Sequence, residues 1–111
     1  MKHNANDVVA SVVFTPDAVN DVDEAFAYIT PRNRQAASGL LAALRATTEQ
    51  MGDFPLIGVQ LPQDEDGLVA PGARFVVVEP YVLFYRVGEE AIVVLRLLHS
   101  RRDRLGDLLG G

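Results

Sequence analysis

Apolar and polar positions along the chain follow two periods, and the switches between them mark the elements. Val8 to Phe14 is a short, largely β-branched apolar run that ends at a helix-start signal, which predicts a strand. Thr15 offers a hydroxyl cap, Pro16 stands where a missing N–H costs nothing, and Asp17 suits the positive helix end. Ala18, Val22, Ala25, Phe26 and Ile29 then supply an apolar stripe at helical spacing, with Asp17, Asp21, Asp23 and Glu24 read as solvated. Thr30 and Pro31 end this helix. A second helix is predicted from near Arg34 to about Met51, with Ala37, Leu40, Leu41, Leu44 and Met51 as its stripe and Gly52 as its C-cap. Gly39 inside it costs roughly 1 kcal/mol against alanine, tolerable if the first helix crosses closely there. The short connection predicts an antiparallel helical hairpin.

From Asp53 to Gly72 the pattern is lost among Pro55, Gly58, Pro62, Gly67 and Pro71, and the stretch is read as one long connection. Its Asp64-Glu65-Asp66 run lacks the spacing of a calcium loop and is read as solvated. Three strands follow: Arg74–Val78, Tyr81–Val87 and Ala91–His99. Glu79-Pro80 separates the first two, and Gly88-Glu89-Glu90 supplies a hairpin turn before the third. The last strand is apolar on both faces, which predicts an interior position in the sheet. Arg101 to Leu109 is expected to add one or two helical turns. The order β-α-α-β-β-β describes a small α+β domain with a helical hairpin on one face of a largely antiparallel sheet.

The length of 111 residues fits one domain spanning 1–111, and the hydrophobic and charged fractions are those of an ordinary globular chain. The charge of −5 argues against unspecific nucleic-acid binding through a basic excess. It is unevenly spread. Residues 1–66 carry four basic side chains against ten acidic ones, whereas residues 67–111 carry six arginines against five acids. Acidity thus hides an arginine-bearing C-terminal third. The chain has no cysteine, which removes disulfides and thiolate metal sites, and His3 and His99 lie too far apart to suggest a histidine zinc site. No metal or cofactor is called for. With no signal-like start and no apolar run near the ~20 residues of a membrane helix, a cytoplasmic protein is the default expectation.

Arg96 carries the most information. By strand parity it lies with Ile92, Val94 and Leu98, and an arginine among such neighbours requires a partner. Two readings stand: an internal salt bridge to a carboxylate such as Glu79, or a groove that receives an anionic partner. Arg74 and Arg86 sit on neighbouring strands, so three arginines are candidates to converge on one surface. His99, followed by Ser100, Arg101 and Arg102, is either an acid–base group beside arginines or a structural residue bonding the turn at the strand end. Tyr81 and Tyr85 share a strand face with Leu83 and are assigned to packing.

The runs TPDAVNDVDEAFAYI, YVLFYRV and VVLRLLHSRRD resemble the ParE branch of the RelE/ParE toxin superfamily, over a span from about Val9 to Asp103. The resemblance implies a RelE/ParE-like fold and a type II toxin of growth-inhibiting, plasmid-stabilising kind. It also implies a cognate antitoxin, a small DNA-binding protein whose otherwise disordered segment wraps the toxin in a hetero-oligomer. The receiving surfaces would be the helical hairpin and the sheet residues Arg74, Arg86 and Arg96. ParE-type members inhibit DNA gyrase by protein–protein interaction, with no catalytic residue of their own, and His99, Arg101 and Arg102 would then be target contacts. RelE-type members are ribosome-dependent endoribonucleases, and on that alternative His99 would be the acid–base group with Arg74, Arg86 and Arg96 holding the phosphate. A single lysine, Lys2, and the absence of a basic cluster in the central connection weigh toward the gyrase branch. A third alternative is a degenerate toxin kept only as an antitoxin partner.

Overall fold

The computed structural model describes residues 11–62 and 71–102. In chain order these form β1 (Ser11–Phe14), α1 (Pro16–Ile29), α2 (Arg34–Asp53), β2 (Val59–Gln60), β3 (Arg74–Val78), β4 (Tyr81–Val87) and β5 (Ala91–His99). The acidic run at 64–66 and the expected turns beyond Arg102 lie outside the described residues, as do Val8 to Ala10 of the predicted first strand. Among the described residues no helix is long and apolar enough to cross a membrane.

One five-stranded sheet has the order β1-β5-β4-β3-β2. The last three strands form the antiparallel meander that their turns predict. β1 pairs parallel to β5, from Ser11 opposite Ala91 to Phe14 opposite Val94. The apolar character of β5 on both faces thus matches its place between β1 and β4. The two-residue β2, which lies inside the stretch read as a connection, pairs with Arg74 and Phe75 as an edge strand.

The helical hairpin covers one face of this sheet. Ala18, Ala25, Leu40, Leu44 and Met51 meet Leu83, Tyr85, Ile92, Val94 and Leu97 in the main core. Leu61, Ala73, Val82, Phe84 and Leu98 form a second buried cluster. Because neighbours on a strand point to opposite faces, the alternation of Leu83 and Tyr85 with Val82 and Phe84 sets this cluster on the far side of β4. Tyr81 and Tyr85 are both buried in the main core, as their assignment to packing expects.

Strand parity fails in β5, for a local reason. Phe84 is opposite Arg96 but Tyr85 is opposite Val94, so Leu95 is an extra residue. Such a bulge shifts the facing of everything that follows it. Ile92 and Val94 face the helices, yet beyond the bulge Leu97 joins that core while Leu98 joins the second cluster. Arg96 therefore keeps the parity of Leu98, opposite Phe84, but is separated from Ile92 and Val94, with which simple alternation groups it.

The helix boundaries show the same mixture of local rule and override. Thr15 caps α1 as predicted, its hydroxyl accepting from the Ala18 N–H at 3.1 Å. At the far end of the hairpin, α2 continues past Met51 to Asp53, and Gly52 is buried within its last turn rather than capping it. Pro55 sets the stop, since it disfavours helical backbone at the residue before it, and Phe54 is where the helix ends. Gly39 faces open space and no helix crosses there, so its propensity cost brings no packing gain. Thr15 has a second bond, donating to the Leu95 carbonyl at 3.1 Å. Thr15→Ala removes both bonds and is expected to destabilise the fold by about 1–2 kcal/mol, read from chemical denaturation midpoints.

Candidate functional site

The site forms where β1 stops covering β5. The last backbone bond between the two segments runs from the Thr15 N–H to the Val94 carbonyl, and the chain then turns into α1. Beyond that point β5 continues to His99 with one edge open to side chains instead of a strand. Thr15 satisfies the Leu95 carbonyl, and Asp21 satisfies the Leu97 N–H, its Oδ2 accepting at 2.9 Å. The same carboxylate receives Arg96 in a bidentate fork, with Nε to Oδ2 at 2.7 Å and Nη2 to Oδ1 at 3.0 Å. Paired planar groups of this kind make strong, directional bonds. Asp21 is only 8 % exposed, whereas the Arg96 side chain is 46 % exposed.

Arg96 thus has an internal partner, but it is Asp21 and not Glu79. Glu79 lies exposed in the β3–β4 turn, next to Pro80 across a cis peptide, whereas Arg96 sits opposite Phe84 further along β4. Nor is Asp21 solvated. Spaced three residues after Ala18 and four before Ala25, it shares their buried stripe. An acid on the apolar stripe of a helix, matched by an arginine in an apolar strand, is a signal the sequence did contain.

Next to this ion pair is a cleft of about 310 Å³, lined by α1 (Asp21, Glu24, Ala25), Tyr81, Arg96 to His99, and Arg102. His99 closes the strand. Its Nδ1 accepts from the backbone N–H groups of Arg101 at 3.0 Å and Arg102 at 3.1 Å. The ring meets Tyr81 edge-on, with centroids 5.2 Å apart. The turn-bonding reading of His99 is therefore the one seen, and an accepting Nδ1 leaves the ring proton to Nε2. Arg102 donates to the Tyr81 hydroxyl at 3.1 Å and lies 4.4 Å over the Tyr28 ring. Arg32 is 3.8 Å from the same ring centroid and donates to the Tyr28 carbonyl at 2.7 Å. Tyr28 so orders two exposed arginines by cation–π attraction. Neither Tyr28 nor Arg32 is singled out in the sequence: their four-residue spacing is a local pairing, but the approach of Arg102 to the same ring depends on how the end of β5 meets α1.

The strand arginines do not converge. Arg74 is opposite Tyr85 and shares its face, and its Nη1 donates to the carbonyls of Gly58 at 2.8 Å and Leu56 at 3.3 Å. Arg86, next along β4, points to the other face and lies beside Gly88 of the β4–β5 turn. Arg96 is turned toward Asp21 of α1. Of the residues singled out in the sequence, Arg96, His99 and Arg102 meet at one cleft, with Arg101 contributing a backbone N–H. The cleft offers guanidinium donors, an aromatic face and the Glu24 carboxylate, a set suited to charge-assisted contacts with a partner.

Asp21→Ala leaves the Leu97 N–H and a half-exposed guanidinium without this acceptor, and should cost about 2–4 kcal/mol in unfolding free energy. Arg96→Ala removes two of the three donors of the buried Asp21 carboxylate and should cost a similar amount, about 2–4 kcal/mol; a loss near zero in denaturant titrations would contradict this role.

Comparison with known proteins agrees with this architecture. The family model described as the ParE toxin of the type II toxin-antitoxin system, parDE, matches residues 12–104. "Toxin ParE3" of Caulobacter vibrioides is 29% identical over 98 residues, covering 87% of this chain and 93% of that protein. Among solved structures, the chromosomal ParDE system from P. aeruginosa superposes with a TM-score of 0.65 at 19% identity, covering 84% of this chain and 98% of the other. The YoeB dimer from Staphylococcus aureus superposes with a TM-score of 0.55 at 14% identity, covering 82% and 97%. These two likenesses are of fold. Since the family model spans both helices, the whole β3–β5 meander and the arginines at its end, the chain belongs to the ParE toxin family of type II toxin-antitoxin systems.

Proposed function

We propose that this ParE-type toxin acts in the cytoplasm as a single domain that inhibits DNA gyrase by protein–protein contact and is neutralised by a cognate DNA-binding antitoxin. The observation that carries this reading is the use of the polar groups at the end of β5. His99 spends its Nδ1 on two backbone N–H groups, and Arg96 spends two nitrogens on Asp21. These bonds build a shape. The ribonuclease alternative asks His99, Arg74, Arg86 and Arg96 to act on one phosphate, whereas Arg74 and Arg86 point to opposite faces of the sheet. The exposed arginines 101 and 102, ordered by His99 and Tyr28, are on this reading the contacts with the target. A net charge of −5 also fits a protein target better than a ribosomal surface rich in phosphate.

For the antitoxin, the exposed Arg86 and Arg96 offer guanidinium groups to acidic side chains of the wrapping segment, and Arg74 contributes through the loop whose carbonyls it holds. Binding that orders such a segment spreads modest contacts over a wide surface.

Two measurements test these assignments. Purified protein added to a gyrase supercoiling reaction should abolish supercoiling, and added to translating ribosomes should leave mRNA intact; undiminished supercoiling with cleaved mRNA would overturn the gyrase reading. Arg86→Ala and Arg96→Ala are each expected to weaken antitoxin binding by about 1–3 kcal/mol. Calorimetric titration showing wild-type affinity in both variants would remove these arginines from the interface.

A further inference from the structure

Between α2 and β2 the sequence reads Phe54-Pro55-Leu56-Ile57-Gly58-Val59, four large apolar residues in six. Such a segment is expected to bury its side chains, yet Phe54 and Leu56 are each 65 % exposed, Val59 60 % and Ile57 44 %. What holds the segment is a set of polar bonds to its backbone. The hydroxyl of the fully buried Tyr85 donates to the Pro55 carbonyl and accepts from the Gly58 N–H, both at 2.8 Å. Arg74 donates to the carbonyls of Leu56 and Gly58, and the Ile57 N–H bonds the Phe54 carbonyl at 3.0 Å. Gly58 is seated so closely that an added Cβ would lie 2.7 Å from the Tyr85 ring and 2.8 Å from the Phe75 carbonyl. The loop is bolted from beneath by its main chain, and its apolar side chains are turned outward.

Outward apolar groups on a fixed backbone are the arrangement of a docking site, because a partner meets them without the entropy cost of ordering the loop. Two features select the partner. Four such side chains expose an area on the order of a few hundred Å², well under the ~800 Å² per side of a stable interface between folded proteins. That size fits one short segment better than a second copy of this chain. On the α2 side of the loop the charge is negative: Glu49 and Asp53, near the negative end of the helix dipole, are both exposed and the last turn holds no basic residue, while Arg74 is committed to the loop's own carbonyls. We propose that the Phe54–Val59 loop receives a short apolar segment of the antitoxin, with a lysine or arginine flanking it above Glu49 and Asp53. This rests on the antitoxin reading above and gives it a place and a chemistry.

The test uses the full-length toxin and the antitoxin encoded beside it, titrated by calorimetry at two salt concentrations. Phe54→Ser with Leu56→Ser should raise Kd at least thirtyfold with little change in melting temperature, since both side chains are mostly exposed. Glu49→Lys with Asp53→Lys should raise Kd about tenfold at low salt and less at high salt. Wild-type affinity in the serine variant overturns the docking site while leaving the antitoxin reading in place. Failure of the wild-type protein to bind the antitoxin retracts that reading and the docking site together. A serine variant that binds antitoxin normally but no longer inhibits gyrase would give the loop to the target, and would likewise overturn the proposal.

Discussion

The carboxylate of Asp21 does the work of a missing strand. Where β1 ends, β5 has backbone groups pointing at no neighbour, and a buried N–H left unbonded costs about 1–3 kcal/mol. α1 brings Asp21 to that gap, and one oxygen closes the Leu97 N–H while the pair of oxygens grips Arg96. A buried carboxylate in isolation would be costly. Three donors make it tolerable, and they come from the strand whose end the site occupies. The orientation of α1, the saturation of β5 and the position of the arginine cleft are consequences of a single contact between helix and strand.

This arrangement separates two kinds of arginine. Arg96 and Arg74 bind the protein's own oxygen atoms, one a carboxylate and the other loop carbonyls. Arg32 and Arg102 are stacked over Tyr28 near the surface, where a guanidinium keeps donors directed at solvent or a partner. Counting arginines along the chain would treat all of them alike. Their partners show which of them also hold the fold together, Arg96 through Asp21 and Arg74 through the loop carbonyls.

Much of the fold was legible in the residues because it rests on local chemistry. Thr15-Pro16-Asp17 names a helix start, Gly88-Glu89-Glu90 names a turn, and the apolar character of Ala91–His99 names an interior strand. What escaped has long-range causes. The bulge at Leu95 exists in the register between two strands and has no mark of its own in the sequence. Asp21 resembles its solvated neighbours Asp17, Asp23 and Glu24 until β5 is set against it. The edge strand β2 owes its two residues of pairing to β3, far along the chain. For the candidate site, the strand-end residues His99, Arg101 and Arg102 are identified from sequence, while the local Tyr28–Arg32 pair is not, since only the packing of α1 on β5 brings that ring to Arg102.

The parallel pairing of β1 with β5 has a consequence in time. It joins the beginning of the described chain to its end, and Thr15 bonds a carbonyl 80 residues away. A nascent chain at the ribosome can form the helical hairpin early, but it has nothing on which to lay β1 or close Asp21 until β5 has been synthesised. Contacts so distant are also slow to close. Products terminated before β5 therefore lack the ion pair, the strand-end turn and the arginine cleft together, and the cell meets an assembled surface only after β5 has been synthesised.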